Sequence, residues 1–320
     1  MNNNMKSFII TVDTEGDNLW NYKQGDVVAT NNVQYIPRFQ QLCEKYEFKP
    51  VYLANYEMLC SDDFIKYIKP KEKENLCEVG LHLHAWNNPP LFDIGTQYGG
   101  NPYLIEFPTQ IMYEKFDVLY RLYCDKLGHK PTSHRSGRWA MNNQYFELLQ
   151  HYGVTVDCSF TPGVDWSNSK GAFIGGTDYT NSPSTSHYVG SVCEVPHTVI
   201  KSHKPLFGTI KHRIKTLVFG ECLELRPAIF SYPQMKEVVE IVSQERQSDY
   251  VEFMIHSSEL MPSGSPYMVS KDDIEEFYSK IEKIFSFIKS KGYVGQTLKE
   301  YYNNQQLCYE DRNINISRYY

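Results

Sequence analysis

Residues 78–86 read EVGLHLHAW. Side chains alternate across an extended chain. Val79, Leu81 and Leu83 therefore share one face, and Gly80, His82 and His84 share the other. The apolar face asks for a core, so the segment reads as a buried strand. Its neighbours decide which kind of sheet it joins. Upstream, SFIITV (7–12) and KPVYLANY (49–56) read as strands, with helical spacing between them in YIPRFQQLCEKY (35–46). The helix SDDFIKYIK (61–69) opens on Ser61 as N-cap with two acids in its first turn. Downstream, TQIMYEKFDVLYRLYCDKLG (109–128) is an amphipathic helix stopped by Gly128. Strand PTSHR (131–135), helix NQYFELLQHYG (143–153) and strand VTVDCSF (154–160) follow. EVPHTVI (194–200) reads as a strand, Pro233 opens a helix over 233–247 at its first position, and YVEFMIH (250–256) is a strand. KDDIEEFYSKIEKIFSFIKSKG (271–292) is a helix closed by Gly292, with a short strand and helix after it. Segments 86–108 and 161–192 are rich in Gly, Pro, Asn and Ser and read as long loops.

Strands separated by helices of this length give an α/β fold with a parallel sheet, open or closed. There is no internal repeat, linker or low-complexity tract, so one domain over 1–320 is expected. With 320 residues, 41% of them apolar, the chain can build a large core. A net charge of −6 argues against a nucleic-acid partner. Cysteines stand at 43, 60, 77, 124, 158, 193, 222 and 308 without a C-x-x-C pair. They read as free buried thiols of a reducing compartment. MNNNMKSFII lacks the basic and apolar regions of a signal peptide, and no apolar run reaches the roughly 18–20 residues of a membrane span. A cytoplasmic protein without a membrane span is expected. The oligomeric state is not written in the pattern.

In parallel α/β folds, chemistry gathers at the C-terminal ends of the strands. His82 and His84 lie about 7 Å apart along their strand. They either converge on a cation or serve as hydrogen-bonded core histidines, and Gly80 on their face leaves room. Thr11, Asp13 and Glu15 share a face of the first strand. These acids either meet a cation or form a solvated turn with Gly16 and Asp17. Two histidines and one carboxylate leave an open position for water, the arrangement of a catalytic zinc. His256 ends its strand as a candidate ligand, general acid or cap. Arg135 either holds a carboxylate in place or, like Arg138, joins a surface ion pair.

Five segments in this order resemble the polysaccharide deacetylase (NodB-homology) family: TVDTEGDNLW (11–20), EVGLHLHAWNNPP (78–90), HRSGRW (134–139), DCSFTPGVDW (157–166) and MIHSSEL with SGSPY (254–267). The first is similar to the branch that opens on V-D-T-E-G-D. The resemblance implies a distorted (β/α) barrel, usually of seven strands. It implies a metal-dependent hydrolase that removes an N-acetyl group from a sugar, oligosaccharide or polysaccharide precursor. By resemblance, Asp13 is the general base, Arg135 steadies it, and His256 is the general acid. Glu15, His82 and His84 would bind a divalent metal, most simply zinc, with Asp17 as a rival to Glu15. The family usually has its acids adjacent and its metal histidines four apart. Here Thr14 separates the acids, and the histidines are two apart. Asp157 and Trp166 match the motif that shapes the pocket and orients the acid. Trp86, Trp139 and Arg138 would join them in binding a carbohydrate, with the two long loops choosing the substrate. Two other readings are an amidohydrolase acting on a cyclic amide or ureide, and an inactive glycan-binding barrel.

Overall fold

β1 (Ser7–Thr14) is buried along its whole length and has a parallel neighbour on each side, β2 (Pro50–Ala54) and β10 (Tyr250–His256). A computed structural model describes residues 5–17, 19–23, 25–204, 216–218, 220–245 and 248–306. From β2 the sheet continues in parallel through β3 (Glu78–Leu83), β4 (Ser133–Ser136), β5 (Val156–Asp157) and β7 (Val192–Glu194). That makes seven parallel strands in the order β10-β1-β2-β3-β4-β5-β7. β6 (His187–Val189) adds an antiparallel edge to β7, and β11 (Val294–Gly295) pairs with β1. Helices α1 (Ile36–Lys45), α2 (Tyr56–Cys60), α3 (Asp62–Lys73), α4 (Thr109–Leu127) and α5 (Asn143–Tyr152) connect successive strands. After them come α6 (Tyr232–Glu245), α7 (Lys271–Ser290) and α8 (Leu298–Gln306). The α/β class and the distorted barrel expected from the sequence are therefore present.

The barrel is open between the β7–β6 edge and β10. An antiparallel hairpin, β8 (Val199–Ser202) with β9 (Glu221–Glu224), lies off the main sheet. Around this seam Glu252 N donates to Thr198 Oγ1 (2.8 Å), the Tyr250 hydroxyl to Pro196 O (2.6 Å) and Met254 N to Leu225 O (3.1 Å).

Alternation along β1 sorts its residues. Phe8, Ile10 and Val12 face the helices, where Phe8, Phe253 and Phe285 pack edge to face at 5.2–6.3 Å. Ile9 faces inward with Val51, Leu53, Val156 and Tyr250. Above that layer the interior turns polar, with Thr11, Arg135 and Glu252 fully buried. Gly80 does not leave room there. A Cβ on it would meet Ser133 Oγ at 2.3 Å and Leu53 Cδ2 at 2.7 Å, so Gly80 lets β3 pack against its neighbours.

Some elements differ from the sequence reading. The run 194–200 is divided: β7 ends at Glu194, Pro196 cannot donate to a ladder, and Val199 starts the hairpin. Only Val156 and Asp157 of 154–160 are strand, and the 161–192 loop contains β6. The strand at 49–56 stops at Ala54, because the Asn55 side chain caps α2 through Met58 N (3.2 Å). α6 begins one residue early, placing Pro233 second. The seven described cysteines are unpaired. Cys43, Cys77, Cys158 and Cys193 are buried, whereas Cys60 is exposed, and Cys308 lies outside the described residues. No helix among the described residues is long and apolar enough to cross a membrane.

Candidate active site

The register of the sheet brings the polar strand ends together. Asp13 lies beside His256 across the β1–β10 ladder, and His82 lies beside Arg135 across β3–β4. Asp13 Oδ1 accepts from Arg135 Nη1 at 2.7 Å. The Arg135 guanidinium also donates through Nη2 to Glu252 and through Nε to Cys158 O at 3.1 Å. Burial raises the Asp13 pKa, but Arg135, His82 and His256 outweigh it and hold the carboxyl well below the usual carboxylate range. Its second oxygen, Oδ2, lies 3.9 Å from both His82 Nε2 and His256 Nε2.

Glu15 is the next residue on the same face. Its Oε2 is 3.2 Å from His84 Nε2 and 3.7 Å from His82 Nε2. Thr14 points the other way and bonds Val12 O (2.8 Å), so an acid there would miss the cleft. Glu15 is fastened by its backbone. Its N–H donates to Ser257 Oγ (3.1 Å), and its carbonyl accepts from Asn32 Nδ2 (2.8 Å). Asp17, the rival ligand, instead accepts from the backbone N–H groups of Asn31 (2.9 Å) and Asn32 (3.0 Å).

His82 Nδ1 lies 3.0 Å from Arg135 O. That carbonyl can only accept, so it assigns the proton to Nδ1 and leaves the Nε2 lone pair facing Glu15. The His84 ring stacks on Trp86 at 4.3 Å and meets His82 edge-on at 4.5 Å. Burial pushes His82 down to about 4 and His84 well below its ordinary value, so both rings are neutral donors. Burial, with Asp13 and Glu259 nearby, raises Glu15 to about 8, a carboxyl that ionises readily only beside a cation. One donor atom from each of Glu15, His82 and His84 lies within 4.8 Å of the others. Bonds of roughly 2.0–2.1 Å in a tetrahedron separate ligand atoms by about 3.3 Å. The observed 3.2 and 3.7 Å fit a divalent first-row cation.

His256 Nδ1 lies 3.4 Å from Glu259 Oε1, and Glu259 Oε2 accepts from the His256 backbone N–H (3.0 Å). Burial lowers the His256 pKa, yet Glu259, Glu15 and Asp13 together raise it above its ordinary value. Trp20 packs against it at 4.8 Å.

These groups form the floor of a cleft of about 410 Å³. Trp86, Arg138, Trp139 and Trp166 line it. Arg138 (φ +57°) and Trp139 (φ +62°) are both left-handed, a conformation that costs non-glycine residues energy. Arg135 lies beneath the floor, 4.8 Å under the Trp139 ring. Asp157 does not reach the cleft. It is fully buried behind the sheet, bonded to His134 Nδ1 (2.6 Å) and to Ser159 N (3.1 Å). The carboxylate beside His256 Nδ1 is Glu259 instead. The sequence shows that pair only as His-x-x-Glu, a spacing that also suits an ordinary turn. Trp20 and Tyr267 also line the cleft from within segments 11–20 and 254–267. Arg226 and Ile229 enter from a stretch with no motif at all.

No family model matches the chain, and no curated protein matches it. Solved structures do. A protein from Parabacteroides distasonis, provisionally described as a glycoside hydrolase/deacetylase, aligns over 96% of this chain and 73% of its own, at 9% identity and TM-score 0.60. The 4-α-glucanotransferase of Thermococcus litoralis aligns over 93% of this chain at 13% identity and TM-score 0.51, and this chain spans 38% of its length. The peptidoglycan deacetylase of Bacillus subtilis aligns over 95% of this chain and 93% of its own, at 10% identity and TM-score 0.43. At these identities, the two likenesses above 0.5 are likenesses of fold.

Proposed function

We propose that the chain is a metal-dependent hydrolase that removes an N-acetyl group from a sugar or a polysaccharide precursor. One observation carries this reading. A carboxylate held by arginine, a Glu–His–His cluster that could hold a metal and a histidine facing that carboxylate meet on the floor of one aromatic-walled cleft. The N₂O donor set of His82, His84 and Glu15 suits zinc. A cation held there supplies a Lewis acid for the acetyl carbonyl and lowers the pKa of a water beside it.

The chain's own residues do the rest. Arg135 keeps Asp13 ionised, with Oδ2 turned toward both imidazoles. That oxygen is the base that takes the proton of the attacking water. His256 stands across from it and donates its Nε2 proton to the departing sugar amine. Glu259 stabilises the charged ring. Trp86, Trp139 and Trp166 offer faces for a sugar ring and thin the water around the amide.

The test is acetate release from N-acetylglucosamine oligomers by the zinc-loaded protein. Asp13→Asn should cut kcat by about 10²–10⁴ with metal content unchanged. His82→Ala should lose the metal by elemental analysis. A stoichiometrically loaded protein that frees no acetate, yet opens a cyclic ureide, would move the assignment to the amidohydrolase reading. A D13N variant with full activity would overturn the catalytic roles.

A further inference from the structure

Two arginines in the cleft have no use in hydrolysing a neutral sugar. Arg226 is 9% exposed and lines the cleft. Among the described residues its guanidinium makes no hydrogen bond. Its one ion-pair contact is Nη1 to Glu224 Oε2 at 3.8 Å. That carboxylate is already held by His197 Nε2 at 3.2 Å. Arg138 also lines the cleft and stacks on Tyr103 at 4.3 Å. It donates to Asn101 O (2.5 Å), Ser169 Oγ (3.0 Å) and Lys170 O (2.9 Å), all neutral acceptors. Among the described residues no carboxylate lies at ion-pair distance from it. Three of its five N–H donors are used, and two are left.

Arg138 is half-buried and Arg226 is buried, and a buried guanidinium without a hydrogen-bonded anion is costly. Neither arginine follows from a generally basic surface, since the chain carries a net charge of −6. Nor do they serve the floor, where Arg135 alone meets Asp13. Guanidinium groups match planar or tetrahedral oxyanions through paired N–H donors.

We propose that the substrate carries an anionic oxygen group, a carboxylate or a phosphate, bound by Arg226 and Arg138 while the amide lies over the floor. This deepens the deacetylase reading and rests on it. Arg226 is the specificity-determining residue, because its one ion-pair contact among the described residues, with Glu224 at 3.8 Å, is longer than a hydrogen bond and is shared with His197. Arg138 holds the loop wall and lends its two remaining donors.

Calorimetry with deacetylated sugars tests this without needing turnover. Glucosamine 1-phosphate, muramic acid and glucosamine are titrated into zinc-loaded protein. At least one anionic sugar should bind tenfold or more tightly than glucosamine, and which one it is tells phosphate from carboxylate. Arg226→Gln should bring that ligand down to the affinity of glucosamine. Arg138→Lys, which keeps a charge but loses the fork, should weaken it by a smaller factor. Equal binding of all three sugars overturns the proposal, and so does a preference that survives both substitutions. Should the deacetylase reading itself be wrong, the N-acetylated counterparts would release no acetate while the anion preference in binding remained.

Discussion

At the scale of single residues, the site stands on charges that neutralise one another out of water. Arg135 is fully buried between Asp13 and Glu252, and His197 Nδ1 lies 3.2 Å from Glu252's other oxygen. Removing one partner of such a pair leaves an uncompensated buried charge. Arg135→Met should therefore cost about 3–5 kcal/mol in urea unfolding, and a loss below about 1 kcal/mol would mean that water reaches these carboxylates. Glu57, in the first turn of α2, is a different case. Burial raises it to about 7 from an ordinary 4.5. Its folded pKa exceeds its unfolded one, so its contribution is complete below about pH 4.5 and is lost as pH climbs through 7. Glu57→Gln should make the protein more stable at pH 8 by on the order of 2 kcal/mol and leave it little changed at pH 4. Identical unfolding curves for the two proteins at pH 8 would show that Glu57 is solvated. Much of the floor was legible residue by residue, since two-residue alternation alone put Asp13 with Glu15 and His82 with His84. It could not choose Glu15 over Asp17, because that choice depends on Asn31 and Asn32 claiming Asp17 from another loop. Arg226 gave no signal, because it is recognised only by the cleft it lines, and Glu259 showed only as His-x-x-Glu, a spacing an ordinary turn shares.

At the scale of elements, ligand geometry is set by how closely strands approach. Gly137 follows β4, and a Cβ there would lie 2.5 Å from His84 Cδ2 and 2.5 Å from the carbonyl oxygen of Leu83. Gly137→Ala must shift the imidazole or the strand end, although it removes no ligand. It should lower zinc affinity tenfold or more in a chelator competition and cost about 1–3 kcal/mol of stability. An unchanged zinc affinity would mean that His84 does not bind the metal. The strong helices were readable because their signals are local. Gly128 and Gly153 end α4 and α5 in left-handed caps, and Ser270 caps α7 through Asp273 N at 3.2 Å. The region from 154 to 230 was not readable in that way. β5 has only two residues, and β7 and β8 are separated by Pro196 within what reads as one apolar run. Pairing there is decided by partners distant in sequence, which no local pattern records.

At the scale of the whole molecule, the open seam of the barrel and the cleft are linked. β1 and β10 form the longest strand pairing described, over seven residues from Ser7↔Tyr250 to Asp13↔His256. Among the described residues β8 and β9 pair only with each other, and contacts that tie this region down include Leu225's bridge to Phe253, the His197–Glu252 contact and Ser202 Oγ to Glu237 Oε1 (2.5 Å). Amides of such a hairpin open at a lower free energy than those of a buried central strand. Hydrogen exchange should therefore show 199–202 and 221–224 exchanging well before 8–13. Arg226 follows this hairpin directly and Ile229 lies just beyond it, so the wall proposed to meet the substrate is continuous with a hairpin outside the main sheet. Binding across the cleft should then couple to the seam. An anionic amino sugar should slow exchange over 221–226 while leaving 8–13 unchanged, and glucosamine should do so less. Protection confined to the loops around Trp86 and Trp139 would place the ligand on the other side of the cleft and detach the seam from recognition.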